Sequence, residues 1–271
     1  NPAEDDTTLE MLNAAGNNDD KSAAGGSGDA NEAEKPDHGT TAADSYADYV
    51  PAKLNYGPPH VEHVVESASL ACVMPTDITF NPSIPPDAMS SGVLSRVQLE
   101  AVVYALQQHE KRLPSGYRAG FFIGDGTGVG KGRELAAIVW DNWIRSPSKG
   151  RRSVWFTCNT DLAVDARRDL DDIGAKDLPL LSLTSLGYGD IADEIGFEQG
   201  VLLVTYNCLV AKSGEKTRYD QLKKWLVGGL ESNSDYEGVL CFDEAHKAKG
   251  AAHDQPVGKA VVQLQEDLMG A

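Results

Sequence analysis

The residues best equipped for chemistry fall into two groups. The first is Gly124-Asp125-Gly126-Thr127-Gly128-Val129-Gly130-Lys131-Gly132-Arg133, set between an apolar run and a helical one. Small residues let successive backbone N–H groups wrap an anion. A Gly-Lys step at a helix start then sends an ammonium to the β and γ phosphates of a nucleotide. Gly126, Thr127, Gly128, Val129 and Gly130 supply the wrap and Lys131 the charge, while Gly132 and Arg133 open the helix. The pattern G-x-x-x-x-G-K-[ST] is broken at both ends: Asp125 stands for its first glycine, and Gly132 for the residue whose hydroxyl normally holds Mg²⁺. A dinucleotide fingerprint is excluded, because the residue five beyond Gly124, Gly126, Gly128 or Gly130 is never glycine. A flexible glycine turn is the plain alternative.

The second group is Val239-Leu240-Cys241-Phe242-Asp243-Glu244-Ala245-His246, an apolar run ending in two carboxylates. Ligand clefts of α/β proteins form at the C-terminal edge of the sheet. There Asp243 can hold Mg²⁺ through water, and Glu244 can polarise an attacking water. Lys131, Asp243 and Glu244 are therefore the candidate catalytic residues, and together the two groups point to nucleotide binding.

Such groups need elements to hold them. Leu99, Val102, Val103 and Leu106 mark one face of a helix. Strands are predicted at Gly120–Gly124, Val154–Cys158, about 178–183, 201–206 and Gly238–Phe242. Helices are predicted to about Ile144, from a cap at Thr160 or Asp161 through Leu170, near 217–227, and over about 257–268. Continuously apolar strands alternating with helices imply a mostly parallel sheet covered on both faces. This α/β region spans 96–271.

Two segments precede it. Residues 46–95 carry seven prolines between aromatic and apolar anchors, which precludes long helices and predicts an extended segment packed along the neighbouring domain. Residues 1–45 hold 11 Asp/Glu against 2 Lys, and with them −9 of the formal net charge of −17. With almost no large apolar residues, this acidic tail is predicted to be disordered. A pI near 4.7 opposes indiscriminate nucleic-acid binding without excluding a local basic face. No apolar run reaches the ~20 residues of a membrane span, and no signal segment opens the chain. With 4 scattered cysteines read as small core thiols, a soluble protein in a reducing compartment is expected. His60 and His63 have metal-like spacing but no ligand cluster nearby. Trp140, Trp143, Trp155 and Trp225 are read as packing residues.

The phosphate loop with Asp-Glu-Ala-His resembles superfamily 2 helicases and translocases. Five stretches narrow the resemblance: Ser67–Ala71, Leu99–Ala105, Gly124–Arg133, Asp165–Gly174 and Phe242–Lys249 look like the Strawberry notch family of nuclear, helicase-like transcriptional regulators. The likeness covers about residues 46–271. In that family glycine follows the loop lysine, so Gly132 is a family trait. The resemblance implies a RecA-like ATP-binding lobe, ATP and Mg²⁺ as cofactors, and a nuclear location. It implies as partners a second RecA-like lobe that supplies arginines, and nucleic acid or chromatin, with histones as candidates. Gln98 looks like the adenine-reading glutamine of helicases, against the plain reading of a surface residue on its helix. Thr157–Asp161 and Thr205-Tyr206 occupy strand ends where helicases touch a nucleic-acid backbone. Arg167 and Arg168 are either helpers there or members of a solvated ion-pair face.

A non-hydrolysing nucleotide- or histone-binding scaffold is the rival reading, and Gly132 favours it. A kinase is disfavoured by the Asp-Glu-Ala-His box. Without the facing lobe, the chain by itself is expected to bind ATP weakly and hydrolyse it negligibly.

Overall fold

The computed structural model describes residues 46–146, 151–251 and 254–269. These all lie in the compact unit Ala42–Ala271. The acidic tail lies outside the described residues.

The 46–95 segment opens with β1 (Tyr46–Asp48), which pairs antiparallel with β2 (Val65–Ser67). Two short helices follow, α1 (Ala68–Ala71) and α2 (Pro86–Ser90). No helix here exceeds five residues, in keeping with its prolines. The segment is nevertheless sunk into the core through Leu54, Ile84 and Leu94. Side-chain bonds fasten it further: Tyr49 Oη donates to Glu100 and the Ser83 N–H to Asp141.

The α/β part begins with α3 (Arg96–His109) and α4 (Lys131–Arg145). Next come β3 (Arg152–Thr157), α5 (Leu162–Asp172), β4 (Leu180–Ser182) and β5 (Gly200–Thr205). A single turn α6 (Tyr206–Leu209) and a small hairpin, β6 (Lys212–Ser213) with β7 (Lys216–Thr217), lead into α7 (Arg218–Val227). The described chain closes with β8 (Leu240–Phe242) and α8 (Pro256–Asp267). No helix among the described residues is long and apolar enough to cross a membrane.

The main sheet has four strands in the order β4-β5-β3-β8, and every pair is parallel. Alternate residues of one strand serve opposite faces. Trp155, Val201 and Leu203 join the core under α3, α4 and α5, while Val154, Phe156, Leu202 and Val204 join the core under α6, α7 and α8. Both faces are thus covered, which is why the strands read as continuous apolar runs. Trp155 and Trp225 are buried, and the Trp225 indole N–H donates to Phe197 O at 2.7 Å.

Two expectations need correction. Gly120–Gly124 is extended but forms no ladder, and Phe121 and Phe122 are exposed. The run is apolar enough for a strand, but a strand exists only with a partner, and none of the described strands pairs with it. Cys208 and Cys241 are buried thiols as predicted, whereas Cys72 and Cys158 are exposed. Cys158 lies one residue past the end of β3, where the chain leaves the sheet.

Candidate functional site

The loop between the extended run and α4 turns back on itself through Gly128 (φ 96°) and Gly130 (φ 92°). Both angles lie in the left-handed region that side chains avoid, and Gly130 is the cap from which α4 starts. With no capping side chain, the first N–H groups of α4 are left to an incoming anion. Lys131 begins the helix. Its Nζ donates to Asp125 O at 2.9 Å and Gly126 O at 3.1 Å, so the ammonium currently closes the loop upon itself. Gly126, Thr127 and Gly128 are exposed, whereas Val129 is packed inward.

Gln98 braces the loop from behind. Its Nε2 donates to Val129 O at 2.9 Å and Gly130 O at 3.3 Å, and its Oε1 accepts the Ser95 N–H at 2.9 Å in a capping box on α3. It is buried, not the surface residue of the plain reading. Both of its amide protons are engaged by the loop, so reading a base would require that amide to leave its present partners.

At the C-terminal edge of β8 the chain turns sharply. Asp243 N donates to Phe156 O at 3.0 Å, and Tyr206 Oη donates to Asp243 O at 2.8 Å, which anchors the turn from β3 and α6. Asp243 is partly buried, and its Oδ1 accepts the Glu244 N–H at 3.0 Å. Burial raises its pKa, while the hydrogen bond from the Glu244 N–H and the Lys131 charge oppose the rise. Loop lysine and strand-end carboxylate are therefore within electrostatic reach of one another. Glu244 has φ 51°, a conformation costly for a side chain-bearing residue and found mostly at functional or strained positions. Its carboxylate is exposed, 3.2 Å from His246 Nδ1.

Three carboxylates missed in the sequence complete the site. Glu134, on the first turn of α4, is fully buried, and neither of its oxygens meets a protein donor. Burial, helped by the neighbouring Asp125, pushes its pKa up to about 9. Asp125 itself buries an unpartnered Oδ2. The third is Asp169 of α5, buried against Gly132. Its approach is close enough that any side chain at 132 would collide with it.

Of the helicase-like contact residues, Thr157 and Thr205 are register partners at the C-terminal ends of β3 and β5, whereas the two arginines are occupied elsewhere. Arg167 is committed to Leu178 O, Ala175 O and Asp171, and Arg168 to Asp165. Thr157 bonds Asn159, and the Thr205 hydroxyl caps α6. Arg133 is paired with Asp172 at 2.8 Å, away from the loop. His60 Nδ1 lies 2.8 Å from Ser95 Oγ, and His63 faces Asp48. A cleft of about 470 Å³ borders the loop through Gly124–Gly126 and Val129, walled on its other side by Tyr49, Val65 and Leu70 of the 46–95 segment.

Among the described residues no three His, Cys, Asp or Glu side chains form a metal cluster, so a hard cation here would be held by a carboxylate such as Asp243 together with waters and nucleotide phosphates, as Mg²⁺ commonly is. Mg²⁺ therefore fits these residues.

The model of a family described as "P-loop containing NTP hydrolase pore-1" matches residues 59–271. Protein FORGETTER 1 of Arabidopsis thaliana is 41% identical over 239 residues, covering 86% of this chain and 18% of that protein. Protein strawberry notch homolog 1 of Homo sapiens is 43% identical over 237 residues, covering 83% and 16%. Protein strawberry notch of Drosophila melanogaster is 41% identical over 238 residues, covering 83% and 14%. The chain spans less than a fifth of the length of these relatives.

Proposed function

This chain belongs to the P-loop NTP hydrolase family and to the Strawberry notch kindred within reach of it, and on that premise we propose that it is the ATP-binding lobe of a helicase-like ATPase. One observation carries the proposal: α4 starts at Lys131 from a left-handed Gly130 cap with no capping side chain, so its N-terminus stays open for a phosphate, while Asp243 follows β8 in the same parallel sheet.

The chain's residues divide the work. The N–H groups of Gly126–Lys131 and the α4 N-terminus receive the phosphates. Lys131 exchanges the neutral carbonyls of Asp125 and Gly126 for anionic oxygens, which are stronger acceptors. Glu244, exposed beside the site, orients and polarises the attacking water, while Asp243 serves the metal. Mg²⁺, when bound, neutralises phosphate charge as it develops. A facing lobe contributes the arginines. The resemblance further supports a nuclear role in regulating transcription, on nucleic acid or chromatin, with histones among the candidate partners.

Calorimetric titration with ATP tests the site. Lys131→Ala is expected to weaken binding by about 1.5–3 kcal/mol, the net worth of a hydrogen bond to a charged group. Equal affinity in both proteins removes the assignment. Gly132 favours the second reading, a nucleotide-binding scaffold without turnover. Single-turnover hydrolysis in the presence of the facing lobe separates the two: a rate that Glu244→Gln abolishes, with binding retained, establishes the ATPase.

A further inference from the structure

Gly132 removes the hydroxyl that phosphate loops ordinarily give to their metal. The structure shows what fills the space. A Cβ built on Gly132 would fall 2.1 Å from Oδ2 and 3.2 Å from Cγ of Asp169. The carboxylate of α5 thus lies where the absent side chain would have been. Asp169 is only 9% exposed. Its Oδ1 meets Arg168 Nη2 at 3.4 Å, a long contact, and no hydrogen bond among the described residues reaches Oδ2. That oxygen is therefore free to meet a cation that arrives beside the loop.

Two alternative explanations fail. Asp169 does not cap α4, since no backbone N–H of that helix bonds to it, and Arg133, its cationic neighbour on α4, is paired instead with Asp172. Asp243 follows β8, which pairs with β3, the strand that leads into α5, and Asp169 of α5 lies directly against Gly132, the residue after the loop lysine. Mg²⁺ is commonly held by one or two carboxylates together with waters and substrate phosphates.

We propose that Asp169 replaces the missing loop hydroxyl and, with Asp243, holds the Mg²⁺ that accompanies the nucleotide. The inference rests on the nucleotide-site reading above and assigns a residue that the loop pattern does not contain. It explains why Gly132 is glycine: a serine there and a carboxylate at 169 would compete for one volume. It also implies stricter metal dependence than an ordinary loop has, because without the cation Asp169 repels the phosphates.

The test measures ATP affinity by equilibrium titration in excess Mg²⁺ and in EDTA, for the parent chain, Asp169→Asn, and the exchange variant Gly132→Ser with Asp169→Ala. The parent should bind more tightly with Mg²⁺. Asp169→Asn should lose about 10–100-fold of that tightening, the range typical when support for a bound metal is removed. Its affinity in EDTA should hold or improve. The exchange variant, which moves the oxygen from α5 to the loop, should recover metal dependence. Mn²⁺ with ATP, followed by electron paramagnetic resonance, should show a changed metal environment in Asp169→Asn. An Asp169→Asn protein with the parent's metal dependence overturns the proposal and leaves the nucleotide site standing. A folded exchange variant without recovery also overturns it, and decides the matter should Asp169→Asn fail to fold. A parent that binds no ATP in either condition removes the nucleotide reading itself.

Discussion

Glu134 shows how a single side chain can escape a sequence reading and still govern behaviour. A glutamate in the first turn of a helix reads as a favourable, solvated partner of the helix dipole. Here the helix starts at the loop and its first turn is roofed over, so the carboxyl is fully buried beside Asp125. Unfolded, it ionises near the ordinary value of about 4.3. Folded, it keeps its proton up to about 9. Between those values the folded state binds one proton more than the unfolded state. The stabilisation is therefore complete below the lower value and drains away as pH rises toward the upper one. Thermal melts at pH 5.5 and 8.5 should show the parent losing stability with pH, and Glu134→Gln losing clearly less. Parallel losses would mean that Glu134 is ionised throughout. Asp169 was hidden differently. Its helix holds so many aspartates that they read as one wet face, yet Ala166, Asp169, Leu170 and Ile173 all lie inward at helical spacing. That periodicity was the available signal.

Among elements, the helices and four of the five predicted strands were legible because burial writes its period into the sequence. The fifth, Gly120–Gly124, was not, since apolar composition reports a wish for burial and says nothing of a pairing partner. The phosphate loop was legible as chemistry, but its bracing was not: Gln98 lies on a helix far upstream, and only the fold brings its amide under Val129 and Gly130. Gln98→Ala should remove the clamp on the loop and half of the α3 capping box together. A loss of about 1–3 kcal/mol is expected, as for a buried polar group whose partners are left unsatisfied. Chemical denaturation measures it. A change within about 0.5 kcal/mol would place Gln98 with ordinary surface residues.

At the scale of the whole molecule, the 46–95 segment is too rich in proline for long helices and is held by its apolar anchors: Leu54, Ile84 and Leu94 are buried in the same core as α3 and α4. The tail before it offers no comparable apolar anchors. Removing residues 1–45 should shift the thermal midpoint by less than about 2 °C, because a chain with so few large apolar side chains has little to contribute to a core. Removing residues 1–95 should prevent folding, since each large core side chain lost costs roughly 2–5 kcal/mol. Differential scanning calorimetry of the two truncations separates a passive leader from an integral wall. A folded 96–271 protein would contradict the burial seen here.

β8 is the last strand of the described sheet, and beside its free edge Phe121 and Phe122 face water. An open strand edge next to exposed aromatic rings is a surface on which identical molecules adhere. A formal charge of −17 keeps them apart while ions are scarce. Added salt shortens the range of that repulsion to about 3 Å at 1 M and leaves the oily contact untouched. Light scattering should therefore report dispersed particles in dilute buffer and growing ones in brine, and Phe122→Ser should blunt the growth. If particle size ignored salt, the edge would have to be shielded in solution, and the colloidal behaviour of this protein would be set elsewhere on its surface.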